Sequence, residues 1–386
     1  MRDPQTRCDT KRVLVAHNVE RHGSGGMARM MESIHIALES FGWETDYFSA
    51  EDMADVWSQR LRRYSFSWHA RRHARRSFLR GKPYNIINIH EPAGASMVFA
   101  KSRFGRPAIV AMSHGVEQRY WELRLRGGSA GSDAPGLKER ISVPALSLWQ
   151  SRLTLCRADH VLCLNEEDRT FLQTRFHLKG ERVTPVYPGA GPEFSSAAPR
   201  RIYDRPCTSV LFSGSWIARK GIRQVIESFS LLGMRYPELR LGVLGAGVPP
   251  GCVFSAFPES LHSRIEIFPP LSHADCAEVL LRYDIFLLPS FFEGTPLGLI
   301  EAMQTGIPVI TTATAGMKDV IRDGKSGLLV PPGNCEEITR AVERLMNNPD
   351  LRQRLGRQAF SDAVSKYTWP AAARVVDGIY SSLLKT

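Results

Sequence analysis

Two carboxylates flank a predicted helix start in the segment FFEGTPLGLIEAM. Glu293 precedes Pro296, and Glu301 follows it by five residues. Thr295 is a good N-cap residue and proline fits the first helical position, so we expect the helix to begin at Pro296. At about 1.5 Å per residue, Glu301 then lies about 7–8 Å along the helix axis. This reach is comparable to that from a diphosphate to the ribose of the same nucleotide, so Glu301 could bind ribose hydroxyls.

The first turn of this helix is a candidate anion site. The free amides of Leu297 and Gly298, together with the positive end of the helix dipole, favour a phosphate group. The alternative is an ordinary helix with one glutamate at its start and one on its solvated face, because a Glu-x7-Glu spacing alone is weak evidence.

A second element carries two adjacent cations. The segment SVLFSGSWIARKGIRQVIESFSLL predicts a buried strand, a Gly/Ser loop with Arg219 and Lys220, and a helix that begins near Gly221. A forked arginine and a point-charge lysine can neutralise a departing diphosphate without a metal ion. A solvated basic loop is the alternative. Strands in LRLGVLGAG and IEIFPPL, and a helix that begins at Ser272, continue the βα alternation.

Between about residues 208 and 368, four segments resemble the donor half of retaining glycosyltransferases of family four, which have the GT-B fold. The segments are SGSWIARKGI, LGVLGAG, LLPSFFEGTPLGLIEAMQTGIPVITT and DGKSGLLVPPGN. The resemblance implies an α/β protein with two Rossmann-like β/α/β domains that face each other across a central cleft. It also implies a nucleotide-diphosphate sugar as donor, a UDP- or GDP-sugar, with no cofactor and no metal.

The resemblance further implies a role for individual residues. Arg219 and Lys220 would contact the diphosphate, Glu301 the ribose, and Glu293 the transferred sugar as a catalytic residue. The other donor-binding residues that it implies are Gly25, Gly26, Gly214, Leu271, Gly294, Thr295, Leu297 and Gly298. The sequence departs from the family pattern at Pro269-Pro270 and at Asp319, which leaves the nucleotide base open.

The first half opens with a buried strand, a turn at Gly25-Gly26 and an amphipathic helix. A full GxGxxG fingerprint and the acidic residue after the next strand are both missing, which argues against a dinucleotide site. The turn resembles the family's first glycine-rich loop, which faces donor phosphate and acceptor. A plain strand-to-helix turn is the alternative.

Two histidines follow predicted strands, His90 in YNIINIHEP and His114 in AIVAMSHGVE. Open parallel sheets bind ligands at the carboxyl ends of their strands, which makes both histidines candidates. In isolation each is better explained as a structural or loop histidine than as a ligand-binding one. The match of SHGVE to the family's His-Gly after a strand implies that His114 contacts the transferred sugar as a catalytic residue, without assigning it as a general base.

Length and composition predict two domains, because 386 residues exceed the size at which a single core stops growing. We expect an acceptor-side domain over 1–190, a nonperiodic linker over 191–207 and a nucleotide-sugar domain over 208–368. Within 369–386, we expect the last helix to cross back to the first domain.

The charge of +11 is concentrated in residues 60–82, which contain nine Lys or Arg and no Asp or Glu. On a helix, Trp68 and Leu79 share a face with Arg72 and Arg75. Such a mixture suits an anionic membrane surface, with Arg71, Arg72, Arg75 and Arg76 as the contact residues. A solvated basic helix is the alternative, and the absence of zinc spacing, RNP and helix-turn-helix motifs argues against nucleic acid.

The first residues lack the apolar core of a signal peptide, and no stretch of about 18 apolar residues is present. We therefore expect a cytoplasmic protein, located in part at the inner face of the cytoplasmic membrane. Seven scattered cysteines without a CxxC pair indicate neither a disulfide framework nor a metal site.

These observations predict a retaining glycosyltransferase that moves a sugar to a glycan or lipid-linked acceptor in cell-surface polysaccharide or glycolipid assembly. A sugar phosphorylase or epimerase with the same cleft is one alternative. A non-catalytic basic protein that binds glycan or nucleic acid is another. The base, the sugar, the linkage, the acceptor and the oligomeric state stay open at this point.

Overall fold

The computed structural model describes residues 11–19, 26–53, 59–99, 107–126 and 134–385, apart from the side chains of 59–64 and 99. Within these ranges the chain forms two six-stranded sheets, and every strand pair in them is parallel. Helices connect the strands, which confirms the predicted α/β class with two β/α/β halves.

The first sheet and its helices form the first domain. Its strands, in the spatial order β2-β1-β3-β4-β5-β6, are β1 (Lys11–Ala16), β2 (Trp43–Phe48), β3 (Ile86–His90), β4 (Ala108–Met112), β5 (His160–Cys163) and β6 (Val183–Pro185). Its helices are α1 (Gly26–Glu39), α2 (Gln59–Leu79), α3 (Ala95–Phe99), α4 (Glu117–Leu125), α5 (Leu137–Val143), α6 (Trp149–Arg157) and α7 (Glu166–Arg175).

The second sheet and its helices form the second domain. Its strands, in the order β12-β11-β10-β7-β8-β9, are β7 (Ser209–Ser213), β8 (Arg240–Leu244), β9 (Ile265–Ile267), β10 (Ile285–Leu288), β11 (Val309–Thr312) and β12 (Leu328–Val330). Its helices are α8 (Pro192–Ala197), α9 (Ile222–Arg235), α10 (Pro250–Phe254), α11 (His273–Arg282), α12 (Leu297–Gln304), α13 (Ala315–Val320), α14 (Cys335–Met346) and α15 (Pro349–Lys366), and the chain closes with α16 (Trp369–Leu383).

The central strands are short apolar runs, as is typical of sheets covered by helices on both faces, whereas the edge strand β2 (WETDYF) buries only its first and last residues. All four residues of β10 (IFLL) are buried, as are five of the six residues of β1. Ser272 caps α11 by accepting a hydrogen bond from the Asp275 amide at 3.2 Å, so the helix itself begins one residue after the predicted position, at His273.

Each sheet has a point at which the strand order reverses, and such points are where open α/β sheets bind ligands. In the first sheet it lies between β1 and β3, and in the second between β7 and β10. The loops after β7 and β10 are those that carry the predicted phosphate-binding cations and the two glutamates. The fold therefore brings two sequence-distant loops to one edge.

The chain passes between the domains twice, and the two crossings lie side by side. Ala190 and Thr368 form an isolated parallel bridge, and a Cβ built on Gly189 would lie 2.3 Å from the Trp369 nitrogen. Beyond this point α16 packs on the first domain, where the Asn88 amide donates to the Tyr380 hydroxyl at 2.5 Å.

The sequence predicts a nonperiodic linker over 191–207, but this segment contains α8 and a short 3-10 turn over Ala198–Arg200. Phe194 and Ala197 are buried in the core of the second domain. Burial of these two side chains stabilises a helix that the polar, proline-containing sequence does not predict.

Helix α2 uses small residues and one phenylalanine to reach the core. Phe66, Ala70 and Ala74, spaced four residues apart, are buried. The opposite, mixed face is exposed, with Trp68 at 52% and Leu79 at 70%. Arg72, Arg75 and Arg76 are exposed, whereas Arg71 is half-buried and interacts within the protein.

No helix in the described ranges is long and apolar enough to span a bilayer.

Candidate active site

The loop after β10 leads into α12, and here one detail of the prediction is wrong. Pro296 occupies the N-cap position with a ψ of 127°, so the helix begins at Leu297 and not at Pro296. Thr295 does not cap the helix, because its hydroxyl donates to the Leu164 carbonyl of the first domain at 2.6 Å. The first hydrogen bond of the helix runs from the Leu299 amide to the Pro296 carbonyl at 3.1 Å. The amides of Leu297 and Gly298 lie N-terminal to this bond, at the predicted anion site.

The loop after β7 is held in shape by two glycines with positive φ. Gly214 has a φ of 146°, and a Cβ there would lie 3.4 Å from the aliphatic chain of Lys220. Gly221 has a φ of 76° and contacts the Pro289 carbonyl so closely that a Cβ would lie 2.1 Å from its oxygen. The Phe291 amide donates to the Arg219 carbonyl at 2.9 Å. The loops after β7 and β10 are therefore joined through backbone contacts.

Glu293 pairs with both predicted phosphate-binding cations. Its Oε1 lies 2.9 Å from Lys220 Nζ and 3.2 Å from Arg219 Nη1. Arg219 Nη1 also donates to the Phe292 carbonyl at 2.8 Å. Two cations against one carboxylate leave a net positive charge at this edge of the sheet, as an anion site requires.

Glu301 lies in the second turn of α12 with 13% of its side chain exposed. Burial raises the pKa of its carboxyl, and the nearby Arg29 guanidinium opposes that rise. Arg29 comes from α1 of the first domain and forms an ion pair with Glu301. Its Nη1 lies 2.6 Å from His273 Nε2, and His273 Nδ1 lies 3.2 Å from Glu193 Oε1.

His90 and His114 lie next to each other at the carboxyl ends of the adjacent strands β3 and β4. His90 Nδ1 lies 2.7 Å from His114 Nε2, and the rings stack with centroids 5.0 Å apart. Burial lowers the pKa of His114 to about 3 and that of His90 well below its usual value. Both rings are therefore neutral at neutral pH, and one donates while the other accepts. Among the described residues, His90 Nε2 is buried with no hydrogen-bond partner.

Glu91 holds both ends of the turn that carries His114. The hydroxyls of Ser113 and Ser151 donate to its carboxyl oxygens, and the Glu117 amide donates to Oε1 at 3.2 Å. Burial, and after it the charge of Glu117, raises the pKa of Glu91 to about 8. The turn over residues 113–117 is thus fixed by a buried carboxyl.

The two domains meet through glycines. A Cβ on Gly294 would lie 2.6 Å from Leu164 Cδ1 and 2.8 Å from the His114 carbonyl oxygen. A Cβ on Gly26 would lie 3.4 Å from Leu297 Cδ1. The structure thereby brings Gly26 to Leu297 and His114 to Gly294, although these pairs are far apart in sequence.

The remaining predicted donor-binding residues are Leu271 and Gly25. Leu271 is half-buried and packs against the core of the second domain. Gly25 lies outside the described residues. Asp319, one of the departures from the family pattern, accepts hydrogen bonds from the Glu166 amide at 2.7 Å and from the Tyr187 hydroxyl at 3.1 Å.

Sequence reasoning missed Arg29, His273 and Glu91 as members of the site. Arg29 lies in the first turn of α1, three residues after the Gly25-Gly26 turn, and this position is the signal that could have found it. Glu91 directly follows His90 at the end of a strand, which is the same signal that selected the histidine. In the described ranges, no group of three or more His, Cys, Asp or Glu is arranged to hold a metal ion.

Known proteins with similar sequences include the alpha-D-kanosaminyltransferase of Streptomyces kanamyceticus, which is 29% identical over 258 residues. That alignment covers 64% of this chain and 66% of the relative, so the chain matches less than two thirds of the relative's length.

Two solved structures resemble nearly the whole chain. A sucrose-phosphate synthase from Thermosynechococcus elongatus matches 97% of this chain and 99% of its own with a TM-score of 0.78 at 18% identity. Anabaena HepE, solved in complex with UDP and glucose, matches 97% of this chain and 100% of its own with a TM-score of 0.65 at 14% identity. These likenesses show the GT-B fold.

Two family models match successive parts of the sequence. The model described as Glycosyltransferase Family 4 matches residues 24–194, and the model described as Glycosyl transferases group 1 matches residues 206–362. Since the two models together span most of the chain, and the fold agrees with them, the chain belongs to the family 4 glycosyltransferases with the GT-B fold.

Proposed function

We propose that the protein is a retaining glycosyltransferase that moves a sugar from a nucleotide-diphosphate sugar to a glycan or lipid-linked acceptor. The observation that carries this proposal is the meeting of the loops after β7 and β10. There Arg219, Lys220 and the start of α12 adjoin Glu293, with Glu301 one turn further along the helix. The cell-surface role, in polysaccharide or glycolipid assembly, is part of the same proposal.

In this proposal the cations stabilise the departing diphosphate. Arg219 and Lys220 exchange Glu293 for phosphate oxygens, and the amides of Leu297 and Gly298 add the helix N-terminus. Fixed cations and amides stabilise charge as it develops, which makes a metal ion unnecessary for this step. Glu301 accepts hydrogen bonds from the ribose hydroxyls.

On the sugar side, Glu293 is released from its cation partners and orients the donor sugar together with His114. A neutral imidazole can donate or accept a hydrogen bond without adding charge next to the developing positive charge of the sugar. The acceptor oxygen bonds to the anomeric carbon on the face that the diphosphate leaves. The carbon–oxygen bond to phosphate breaks with its electron pair, and the acceptor proton passes to the departing phosphate oxygen. Closure of the domains would align these groups.

The similar proteins support transfer of a sugar from a nucleotide sugar. HepE, whose structure contains UDP and glucose, has the same fold, and the relative from Streptomyces kanamyceticus is named for a sugar transfer. The proposed donor is a UDP- or GDP-sugar, and the UDP in the HepE structure supports the first of these.

The decisive experiment is a thermal-shift panel of UDP-, GDP-, ADP- and CDP-sugars. A ligand at a hundred times its Kd should stabilise the fold by about 2.7 kcal/mol. Lys220→Ala and Glu301→Ala should lose the shift, whereas Arg235→Ala, which removes an exposed ion pair with Glu343 in the same domain, should keep it. No shift with any donor would refute the proposal.

Product analysis then separates the related chemistries. Transfer to an acceptor with retained anomeric configuration supports the proposal. Sugar phosphate formed from the donor would indicate a phosphorylase, and an epimerised nucleotide sugar would indicate an epimerase.

We also propose that the protein is cytoplasmic and that α2 binds it to an anionic membrane surface. Its exposed face combines Trp68 with Arg72, Arg75 and Arg76, and the Arg72 guanidinium lies 5.6 Å from the Trp68 ring. Each basic residue near such a surface contributes about 1 kcal/mol, so replacing the three arginines with serine should weaken binding to phosphatidylserine vesicles by about a hundredfold. Equal binding of parent and variant would refute this role.

A further inference from the structure

One ion pair joins the two domains at the predicted ribose site. Arg29 belongs to α1 on the first sheet, and Glu301 belongs to α12 on the second. The two side chains are 30% and 13% exposed, so the contact is largely screened from water. A charge-assisted hydrogen bond in such surroundings is stronger than one at the surface.

The second guanidinium nitrogen fixes a histidine beside this pair. Arginine can only donate, so His273 Nε2 must accept from Arg29 Nη1 across their 2.6 Å separation. A neutral His273 then carries its hydrogen on Nδ1, which lies 3.2 Å from Glu193 Oε1 and donates to it. Arg29, His273 and Glu193 thus form a chain that holds the guanidinium in place.

The geometry leaves a defined role for the carboxylate of Glu301. Arg29 bonds to Oε1, and a carboxylate has two oxygens that each accept more than one hydrogen bond. Ribose hydroxyls are neutral and cannot replace the guanidinium as counter-charge for a buried carboxylate. The pairing is therefore expected to persist when a nucleotide binds, with Oε2 directed to the ribose.

We propose that Arg29 is a positioning residue which orients Glu301 toward the nucleotide ribose, so that the first domain takes part in recognising a nucleotide held by the second. This inference rests on the proposed function, because it requires a ribonucleotide at Glu301. Its consequence is that nucleotide affinity depends on the docking of α1 against α12.

The test compares ribose with dideoxyribose in the full chain. Binding of UDP and GDP, and of their 2′,3′-dideoxy counterparts, is measured by isothermal titration calorimetry. The parent should prefer the ribose form of its nucleotide by about tenfold. Arg29→Ala should bind the ribose and dideoxyribose forms with equal affinity, and this affinity should not exceed that of Glu301→Ala. The double variant should have the same nucleotide affinity as Glu301→Ala. Arg29→Lys, which keeps the charge, should retain part of the preference.

A matched control removes another ion pair between the domains. Lys318 of α13 pairs with Glu167 of α7, so this ion pair shares no residue with that of Arg29 and Glu301, and Lys318→Ala should keep the tenfold preference. If Arg29→Ala keeps the preference as well, Arg29 is only a brace between domains and the inference is overturned. Tighter binding by Arg29→Ala would also overturn it, because Arg29 would then mask Glu301. A parent that binds UDP or GDP without preferring ribose overturns the inference alone, whereas a parent that binds neither overturns the proposed function with it.

Discussion

Replacement of Glu91 by glutamine should remove part of the pH dependence of folding. The carboxyl of Glu91 is buried and is contacted by two serine hydroxyls and the Glu117 amide. Glutamine has nearly the same shape, and its carbonyl can accept from Ser151 and Glu117 while its amide donates to Ser113. The substitution therefore removes the ionisable group with little change in packing.

The sign follows from the two pKa values of the carboxyl. In the folded protein burial raises the pKa of Glu91 to about 8, whereas its ordinary value is 4.5. Between these values the folded protein binds the proton and the unfolded chain does not. The stabilisation that the protonated Glu91 carboxyl contributes is therefore fully present below pH 4.5 and is lost as the pH rises through about 8.

The magnitude is set by one proton. A difference of one bound proton changes the free energy of unfolding by about 1.4 kcal/mol per pH unit. The histidines act in a lower window, because burial lowers the pKa of His35 to about 4 and that of His114 to about 3, so they reduce stability as the pH falls below 6.5. Between pH 6.5 and 8 the parent should lose about 2 kcal/mol relative to Glu91→Gln.

Urea unfolding followed by tryptophan fluorescence at several pH values measures this difference. Trp121 is buried on α4, the helix that begins at Glu117, and reports on the first domain. Glu39→Gln, which changes an exposed carboxylate at the end of α1, is the control and should follow the parent. Parallel profiles for the parent and Glu91→Gln would show that Glu91 is already ionised in the folded protein, and that burial does not raise its pKa.

Three further substitutions test the packing. Gly294→Ala places a Cβ 2.6 Å from Leu164 Cδ1, which should cost about 1–3 kcal/mol and weaken nucleotide binding; an unchanged melting temperature and affinity would contradict this contact. Arg201→Met removes a buried guanidinium that donates to three backbone carbonyls of the second domain, and urea unfolding should show a loss of about 3 kcal/mol or more. Tyr380→Phe removes the hydroxyl that accepts from Asn88, with an expected loss of about 1 kcal/mol in the same assay, and a larger loss would point to repacking of α16.

The alternation of strands and helices was predictable because most of the strands are short apolar runs that are followed by glycine or polar residues. The places of Arg219, Lys220 and Glu293 after two such strands follow from the same pattern. Their proximity depends on the strand order, since β7 and β10 become neighbours only once β8 and β9 have been placed on the far side of β7. Periodicity along the chain carries no information about that order.

Local signals failed where a tertiary contact competed with them. Thr295 has the chemistry of an N-cap, but its hydroxyl donates to a carbonyl of the other domain. The segment after Gly191 looks like a linker, but burial of Phe194 makes part of it helical. The pairs Arg29 with Glu301 and His90 with His114 depend on docking of domains and on strand register, which no single segment encodes.

The adjacent crossings at Ala190 and Thr368 restrict how the cleft can open. Two covalent connections that lie side by side act as one axis, about which the halves can rotate but along which they cannot easily slide. A small rotation at this axis produces the largest displacement at the far side of the cleft. A cut within either connection would still leave the other to hold both halves within reach, so reassembly would be governed by effective concentration and not by dilution.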